Sequence, residues 1–120
     1  MLPYIKKGTK ILLKDECDNT VSTIRNEIEV IKFLILKNSK DKKLEEWDKS
    51  PLSYLCHMLN YLSEAHVFIN GLIHRYKNYK EIRLLENDMK FYDYYYNQLK
   101  YYNNKLKYFN LNFHDERKMN

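Results

Sequence analysis

The chain has 120 residues and a net charge of +5, and 15% of its residues are aromatic. A chain of this length folds as one domain that buries roughly two-thirds of its unfolded surface in a single core. The content of apolar and aromatic residues argues against intrinsic disorder. Two glycines and two prolines are few for a β-rich chain and favour long helices.

The positive charge comes almost entirely from lysine. Of the 21 basic residues 17 are lysines and four are arginines, and the chain also contains 13 asparagines, 12 tyrosines and one alanine. This bias is typical of an AT-rich coding sequence, so part of the basicity has no functional meaning. Arginine, the side chain best suited to phosphate and base contacts, is scarce. We therefore rank nucleic acid below protein as the expected partner.

The two cysteines, Cys17 and Cys56, lie 39 positions apart and form no CxxC pair or disulfide framework. We expect both to be reduced and buried in an intracellular protein. The first seven residues lack the apolar run of a signal peptide. The expected location is therefore the cytoplasm, or the host cytoplasm if the gene is viral.

The first helix is predicted over residues 9–37, after an N-terminal arm at residues 1–8 that Pro3 and Gly8 interrupt. Its apolar positions recur at steps of three and four. They are Leu13, Cys17, Val21, Ile24, Ile28, Ile31 and Ile35. The alternative for the beginning of the chain is a short hairpin between residues 4–5 and 11–12.

Residues 40–49 carry mixed charge around Leu44 and Trp47, and they predict a short additional helix. Trp47 is either a lid on the core or an exposed anchor for a partner. The dipeptide Ser50-Pro51 then signals a new helix start, because serine caps helices and proline favours the first helical position.

The second long helix is predicted over residues 51–76, and Glu64 is its only formally charged side chain between residues 51 and 73. A helix that is apolar nearly all round belongs in the middle of a fold. We do not expect it to span a membrane, since five of its side chains would be costly in lipid. They are His57, Asn60, Glu64, His66 and Asn70.

The third helix is predicted over residues 80–113, after a turn near Asn78 and before a tail at residues 114–120. The alternative is one continuous helix over residues 51–113, which would need a partner chain to cover it. Together the predictions give an all-α fold, an antiparallel bundle of three long helices in a single domain over residues 1–120. We also expect the long seams to favour a homodimer.

Three consecutive seven-residue blocks within this last helix, 94–100, 101–107 and 108–114, match one another, as in a coiled coil. The spacing predicts a buried seam of large apolar side chains. They are Tyr95, Leu99, Tyr102, Leu106, Phe109 and Phe113. Tyr94, Tyr101 and Tyr108 then form a row about 120° from the centre of the seam, too far round to be fully buried.

Two interpretations of this tyrosine row stay open. The rings either cover the rim of the core with their hydroxyl groups in water, or they form an exposed surface that binds a partner, with Gln98 and Lys105 on the same side. Such a surface suits a protein, and it could also stack on the bases of a single nucleic-acid strand. From residue 94 to 114 there are three lysines and no acidic residue, which is few cations for a phosphate backbone.

No pattern of catalytic or metal-binding residues is present. His57, His66 and His74 follow one another at nine and eight residues, which places the first two on opposite sides of a helix. We expect His66 to be a core histidine bonded to a neighbouring helix. There is no glycine-rich phosphate loop, nucleophile elbow or Cys-His pairing. We therefore expect no enzyme activity, no cofactor and no metal.

The sequence thus predicts a non-enzymatic helical interaction protein. Its composition suits an accessory protein, a regulator or inhibitor encoded by a phage or other mobile element, that binds and modulates a larger protein. The expected contact residues are Tyr94, Tyr101, Tyr108, Gln98, Lys105 and Trp47. The alternative is a nucleic-acid-binding module that uses the lysines and tyrosines of the last helix.

Overall fold

The computed structural model describes residues 10–38 and 51–108. Three long helices dominate this part of the chain, and two short strands accompany them. In chain order the elements are β1 (Ile11–Leu13), α1 (Lys14–Asn38), α2 (Pro51–Arg75), β2 (Glu81–Arg83) and α3 (Glu86–Tyr108). The predicted all-α three-helix fold is confirmed. The predicted arm, the short helix at 40–49 with Trp47, and everything after residue 108 lie outside the described residues.

Helix α2 occupies the middle of the fold, as its sequence predicts. It packs against α1 on one side and against α3 on the other. It begins at Pro51, where the Ser-Pro signal places its start, and its last turn carries His74 and Arg75, whose positive charge suits the negative end of the helix dipole.

A turn separates α2 from α3, so the alternative of one continuous helix is wrong. The helix stops after Arg75 without the aid of glycine or proline. The Tyr79 backbone N–H donates to the carbonyl of Tyr76 at 3.0 Å, which closes a tight turn, and the Tyr76 N–H still donates to the carbonyl of Leu72. The chain then reverses, and α3 runs back along α2.

Two segments predicted as helix are strands instead. The first long helix begins at Lys14 rather than at residue 9, and α3 begins at Glu86 rather than at residue 80. The displaced residues form an antiparallel two-stranded ribbon in which Leu12 pairs with Ile82. Each strand buries only its central residue and exposes its neighbours, the alternation of a half-buried strand.

The reason for this error is that the strands are only three residues long. Over three residues, the two-residue repeat of side chains in a strand cannot be distinguished from the 3.6-residue repeat of a helix. Leu12 and Ile82 are buried against the helices, so both residues are apolar whichever structure they adopt. The pairing joins positions about seventy residues apart, and its backbone hydrogen bonds supply the ordering that local sequence does not.

The core is a single cluster of aliphatic side chains from all three helices and both strands. Its largest fully buried side chains are Ile24, Ile31, Leu34, Leu55, Met58, Leu62, Leu72, Ile82, Leu99 and Leu106. The helical seam predicted for α1 is largely confirmed, although Leu13 is exposed because it belongs to β1 and Ile28 and Ile35 are only partly buried.

The buried side of α3 is rotated from the predicted seam. Leu99 and Leu106 are buried as predicted, but Tyr95 and Tyr102 are only half-buried, and Asn103 is buried in place of an apolar residue. The cause is that α3 packs chiefly on one neighbour, α2. Tyr95 and Tyr102 therefore lie at the edge of that contact rather than at its centre.

Asp88 fixes the start of α3 against the end of α2. Its Oδ2 accepts hydrogen bonds from the Leu85 backbone N–H at 3.0 Å and from the Arg75 guanidinium at 2.8 Å. The first bond caps α3, as the third residue of a capping box does. The second joins the two helices across the turn, so one carboxylate sets the angle at which α3 returns along α2.

Candidate interaction surface

Aromatic side chains line the junction between α2 and α3 on the outside of the molecule. They contact one another from one end of the junction to the other. We call this surface the aromatic face. It consists of Tyr54, His57, Tyr61, Val67 and Phe68 of α2 and Phe91, Tyr94, Tyr95, Tyr101 and Tyr102 of α3.

Tyr102 forms the centre of one half of the aromatic face. Its ring stacks on Tyr61 with centroids 5.5 Å apart and on His57 at 5.2 Å, and Tyr54 approaches at 6.3 Å in a tilted arrangement. Burial raises the pKa of the Tyr102 hydroxyl. Ring contacts of this kind hold side chains in fixed positions, and a surface so ordered needs little rearrangement to bind.

Phe68 forms the centre of the other half. Its ring lies 6.0 Å from Phe91 and 5.7 Å from Tyr95. These rings line an open groove of about 500 Å³, together with Ser63, Glu64 and Val67. Val67 is 71% exposed and Phe91 is 53% exposed. A contiguous exposed apolar patch of this kind marks interaction sites on proteins.

The predicted tyrosine row is exposed along α3. The exposed fraction is 44% for Tyr94, 50% for Tyr101 and 82% for Tyr108. Tyr94 and Tyr101 also contact the junction, because Tyr94 lies edge-on to Tyr61 at 6.0 Å and Tyr101 lies edge-on to Tyr102 at 5.0 Å. Each of these two rings therefore covers the rim of the core and presents its outer edge to solvent, which combines the two interpretations of the sequence. Partner binding by the row stays a prediction.

The structure describes two of the other three predicted contact residues. Gln98 and Lys105 are half-buried, and the Lys105 ammonium lies 5.5 Å from the centroid of the Tyr101 ring. Lys100 makes the same kind of cation–π contact with Tyr96 at 5.8 Å. Two lysines thus lie against ring faces that bases would otherwise stack on. Trp47 lies outside the described residues.

Formal charge is scarce on the exposed side of α2 next to this face. Eight residues are exposed between positions 57 and 74, and Glu64 is the one formally charged side chain among them. The eight are His57, Asn60, Ser63, Glu64, Val67, Asn70, Gly71 and His74. Glu64 itself accepts a hydrogen bond from the Asn60 amide at 3.3 Å. Depletion of charge on an exposed helix side is typical of interface centres.

Gly71 lies on this same side of α2. A Cβ atom added there would meet no atom of residues 10–38 and 51–108 within 4 Å. Glycine inside a helix costs about 1 kcal/mol relative to alanine. Its effect here is a flat, open stretch of helix surface beside Val67 that another helix can approach closely.

The histidine and cysteine side chains contribute to packing. The Arg25 Nε–H of α1 donates to His66 Nε2 at 3.2 Å, which confirms the predicted bond to a neighbouring helix. His66 is only half-buried, so its predicted place in the core is wrong. Burial, and secondarily Arg25, lowers the pKa of His66. Cys17 is buried and Cys56 only half-buried, and burial raises the pKa of the Cys17 thiol to about 11. Within residues 10–38 and 51–108, no three His, Cys, Asp or Glu side chains group so as to hold a metal ion.

Comparison with known proteins gives no relative: no family model, no curated protein and no solved structure matches this chain. Among the described helices, none combines the length and apolar character needed to cross a membrane.

Sequence reasoning missed the α2 half of the aromatic face. Tyr54, His57, Tyr61 and Phe68 follow one another at steps of three, four and seven, which places them along one side of a helix. The signal was present, but the apolar character of the whole helix led to an interpretation of every side as core. Phe91 was missed for a different reason, since it precedes the heptad blocks.

Proposed function

We propose that this chain is a non-enzymatic accessory protein that binds and modulates a larger protein partner through the aromatic face. The observation that carries the proposal is the continuity of exposed aromatic and apolar surface across two helices, from Tyr101 to Val67 and Phe91. A stable monomer gains nothing from keeping such a surface in water.

The composition of the surface fits a protein interface. Tyrosine and phenylalanine are enriched in interfaces, and charged groups are depleted at their centres. The rings of the aromatic face already contact one another, so a partner need not immobilise them, and this lowers the entropic cost of binding. Three of the four lysines of α3, those nearest its C-terminal end, form a basic rim: Lys100, Lys105 and Lys107. A partner with acidic residues at matching positions suits this rim.

A regulatory or inhibitory role on a mobile element is the biological setting we propose. The support comes from composition, because the lysine, asparagine and tyrosine bias is typical of AT-rich genomes. A small protein without catalytic groups acts on its target by occupying a surface, and a rigid aromatic surface is suited to that. The setting would be the cytoplasm of the cell in which the partner acts.

The alternative, nucleic-acid binding through α3, has weaker support from the geometry. Bases stack on open aromatic faces, whereas lysine ammonium groups lie over the rings of Tyr96 and Tyr101. Protein contacts use ring edges and hydroxyl groups as well as faces. Protein therefore remains the first choice for this surface.

The experiment compares partner capture by two triple variants from nuclease-treated lysate of the native host, identified by mass spectrometry. The first variant is Tyr94→Ser/Tyr101→Ser/Tyr108→Ser. The matched control is Phe33→Ser/Leu36→Ser/Leu85→Ser, which removes three exposed apolar side chains outside the aromatic face. We expect the tyrosine variant to lose the partner and the control to keep it, at low and at high salt.

The proposal fails if the tyrosine variant captures the same partner as the unmodified chain, or if nuclease treatment alone abolishes capture. High salt is informative because phosphate contacts weaken steeply with added salt, whereas an aromatic protein interface responds little.

The predicted homodimer is the competing use of the same surface. A dimer formed through the aromatic face would bring together two copies of a helix segment that has three lysines and no acid from residue 94 to 108. Like charges repel across an interface, and salt screens that repulsion. Such a dimer would therefore become stronger with added salt, which sedimentation at several salt concentrations measures.

A further inference from the structure

Cationic side chains gather around the two-stranded ribbon and the turn after α2. Five of them come from two stretches that are far apart in sequence: Lys10, Lys14, Lys77, Lys80 and Arg83. The acidic residues beside them are Asp15 and Glu16 in the first turn of α1 and Glu81 in β2. Glu86, at the start of α3, already pairs with Lys90 at 3.9 Å. The ribbon end therefore carries an excess of positive charge that the fold, and not the sequence order, assembles.

Backbone hydrogen bonds hold these residues together. The Lys14 N–H donates to the carbonyl of Lys80, and the Leu84 N–H donates to the carbonyl of Lys10, each at 2.9 Å. The Lys14 ammonium also donates to the carbonyl of Lys77. The ribbon and the turn thus hold the backbones of these lysines close together.

Tyr79 separates two open grooves at this end of the molecule. One groove, of about 560 Å³, is lined by three lysines, Lys14, Lys77 and Lys80, and by one acidic residue, Asp15. The other, of about 450 Å³, is lined by Lys80, Arg83 and Tyr76 and by one acidic residue, Glu81. Tyr79 lines both grooves.

The Tyr79 ring is 65% exposed and is supported from one side. Tyr76 meets it edge-on at 6.1 Å. The Tyr76 hydroxyl donates to the carbonyl of Arg83 at 2.8 Å, and the Arg75 guanidinium lies 5.4 Å from the Tyr76 ring centroid. The supporting Tyr76 ring is therefore held by its hydroxyl group and contacted on one face by Arg75, and it packs edge-on against Tyr79.

We propose that the ribbon end binds single-stranded nucleic acid, with one base stacked on Tyr79 and the flanking phosphates in the two cationic grooves. An exposed aromatic ring between cations is the arrangement that single-strand binding requires. A cationic groove on each side of one ring matches a nucleic-acid strand, in which a phosphate precedes and follows each base. Exposed apolar side chains also lie at this end, namely Ile11, Leu13 and Leu85. The excess of cations is what favours a phosphate backbone over a protein here. This proposal is independent of the aromatic face and of its protein partner.

The test measures binding of fluorescein-labelled oligo-dT and oligo-U to the full chain by fluorescence anisotropy over a range of salt concentrations. We expect Tyr79→Leu to weaken binding roughly tenfold and Tyr79→Phe, which keeps the ring, to leave it nearly unchanged. Log K falls with log salt, and we expect this slope to be shallower by about 2 in the triple variant Lys14→Gln/Lys77→Gln/Lys80→Gln. Each lost phosphate contact reduces the magnitude of the slope by roughly 0.7.

Two matched controls locate the site. Tyr101→Leu removes a tyrosine of similar exposure from α3, and Lys37→Gln/Lys100→Gln/Lys107→Gln removes the same charge from elsewhere on the surface. The proposal requires both controls to bind nearly as the unmodified chain does. Equal losses in the two lysine variants, an effect of Tyr101→Leu in place of Tyr79→Leu, or equal affinity for duplex DNA or polyphosphate would each overturn it. Circular dichroism checks that every variant is folded.

Discussion

Glu27 places a carboxyl group on the buried side of α1, where only 3% of the residue is exposed. Burial raises its pKa from 4.5 to about 7, since a low-dielectric surrounding disfavours the charged form. Between these two values the folded state holds the proton and the unfolded state releases it. The contribution of Glu27 to the free energy of unfolding of the protein therefore falls as the pH rises through this range.

The variant Glu27→Gln tests this effect. Glutamine has the same shape as glutamate and does not titrate. The variant therefore keeps its stability as the pH rises, whereas the wild type loses stability. We expect the free energy of unfolding of the wild type to fall by about 3 kcal/mol relative to the variant between about pH 4.5 and about pH 8. Urea unfolding at the two pH values measures it. Parallel pH profiles of the two proteins would show that Glu27 is not buried in this way.

The comparison between the two proteins is needed because His66 titrates with the opposite sign. Its lowered pKa means that the unfolded state binds the proton more tightly, so stability from His66 is lost as the pH falls. Both proteins carry His66, and its contribution cancels in their difference.

At the scale of elements, long periodic segments could be predicted and short paired ones could not. The start of α2 at Pro51 follows from a local capping signal, and the exposure of the tyrosine row of α3 follows from its heptad spacing. The ribbon has no local signal of comparable length. Ile11–Leu13 and Glu81–Arg83 become strands because they pair with each other, a contact that only the assembled fold provides.

The candidate surface, too, could be predicted only in part. Spacing along α3 predicts that Tyr94, Tyr101 and Tyr108 point away from the core. That the aromatic residues of α2 continue this surface depends on how the two helices are docked. That docking is set by the turn at residues 76–78 and by Asp88, and neither can be assembled from periodicity alone.

Asp88 is accordingly the side chain whose loss should most disturb the arrangement of α2 and α3. In Asp88→Ala the Leu85 N–H loses its cap and Arg75 loses its partner. We expect the free energy of unfolding to fall by about 2–3 kcal/mol, combining about 1 for a cap with about 1.5 for a charged hydrogen bond. Thermal or urea unfolding measures the loss.

Glu86→Ala is the control, because Glu86 lies in the same first turn but makes only an exposed ion pair with Lys90. Exposed pairs contribute roughly 0–1 kcal/mol. If the two variants lose equal stability, the junction described for Asp88 is wrong.

At the scale of the whole molecule, α2 lies between α1 and α3, and this leaves one of its sides open beside the aromatic face. The ribbon lies next to the start of α3, and the aromatic face extends along α3 from Phe91, about 8 Å after Glu86, to Tyr102. The two proposed binding surfaces share no residue. A protein built in this way can hold a protein partner on one surface and a nucleic-acid strand on the other.

The most direct test of the account is the stability of Tyr94→Ser/Tyr101→Ser/Tyr108→Ser, measured by urea unfolding with circular dichroism beside Tyr92→Ser. Tyr92 is buried, so its truncation should cost about 3–5 kcal/mol, as for other core aromatics. The triple variant should keep the helical content of the wild type and lose less than about 1.5 kcal/mol, since surface changes cost about 0.5 each. If the triple variant unfolds instead, the three rings belong to the core and the aromatic face is not a binding surface.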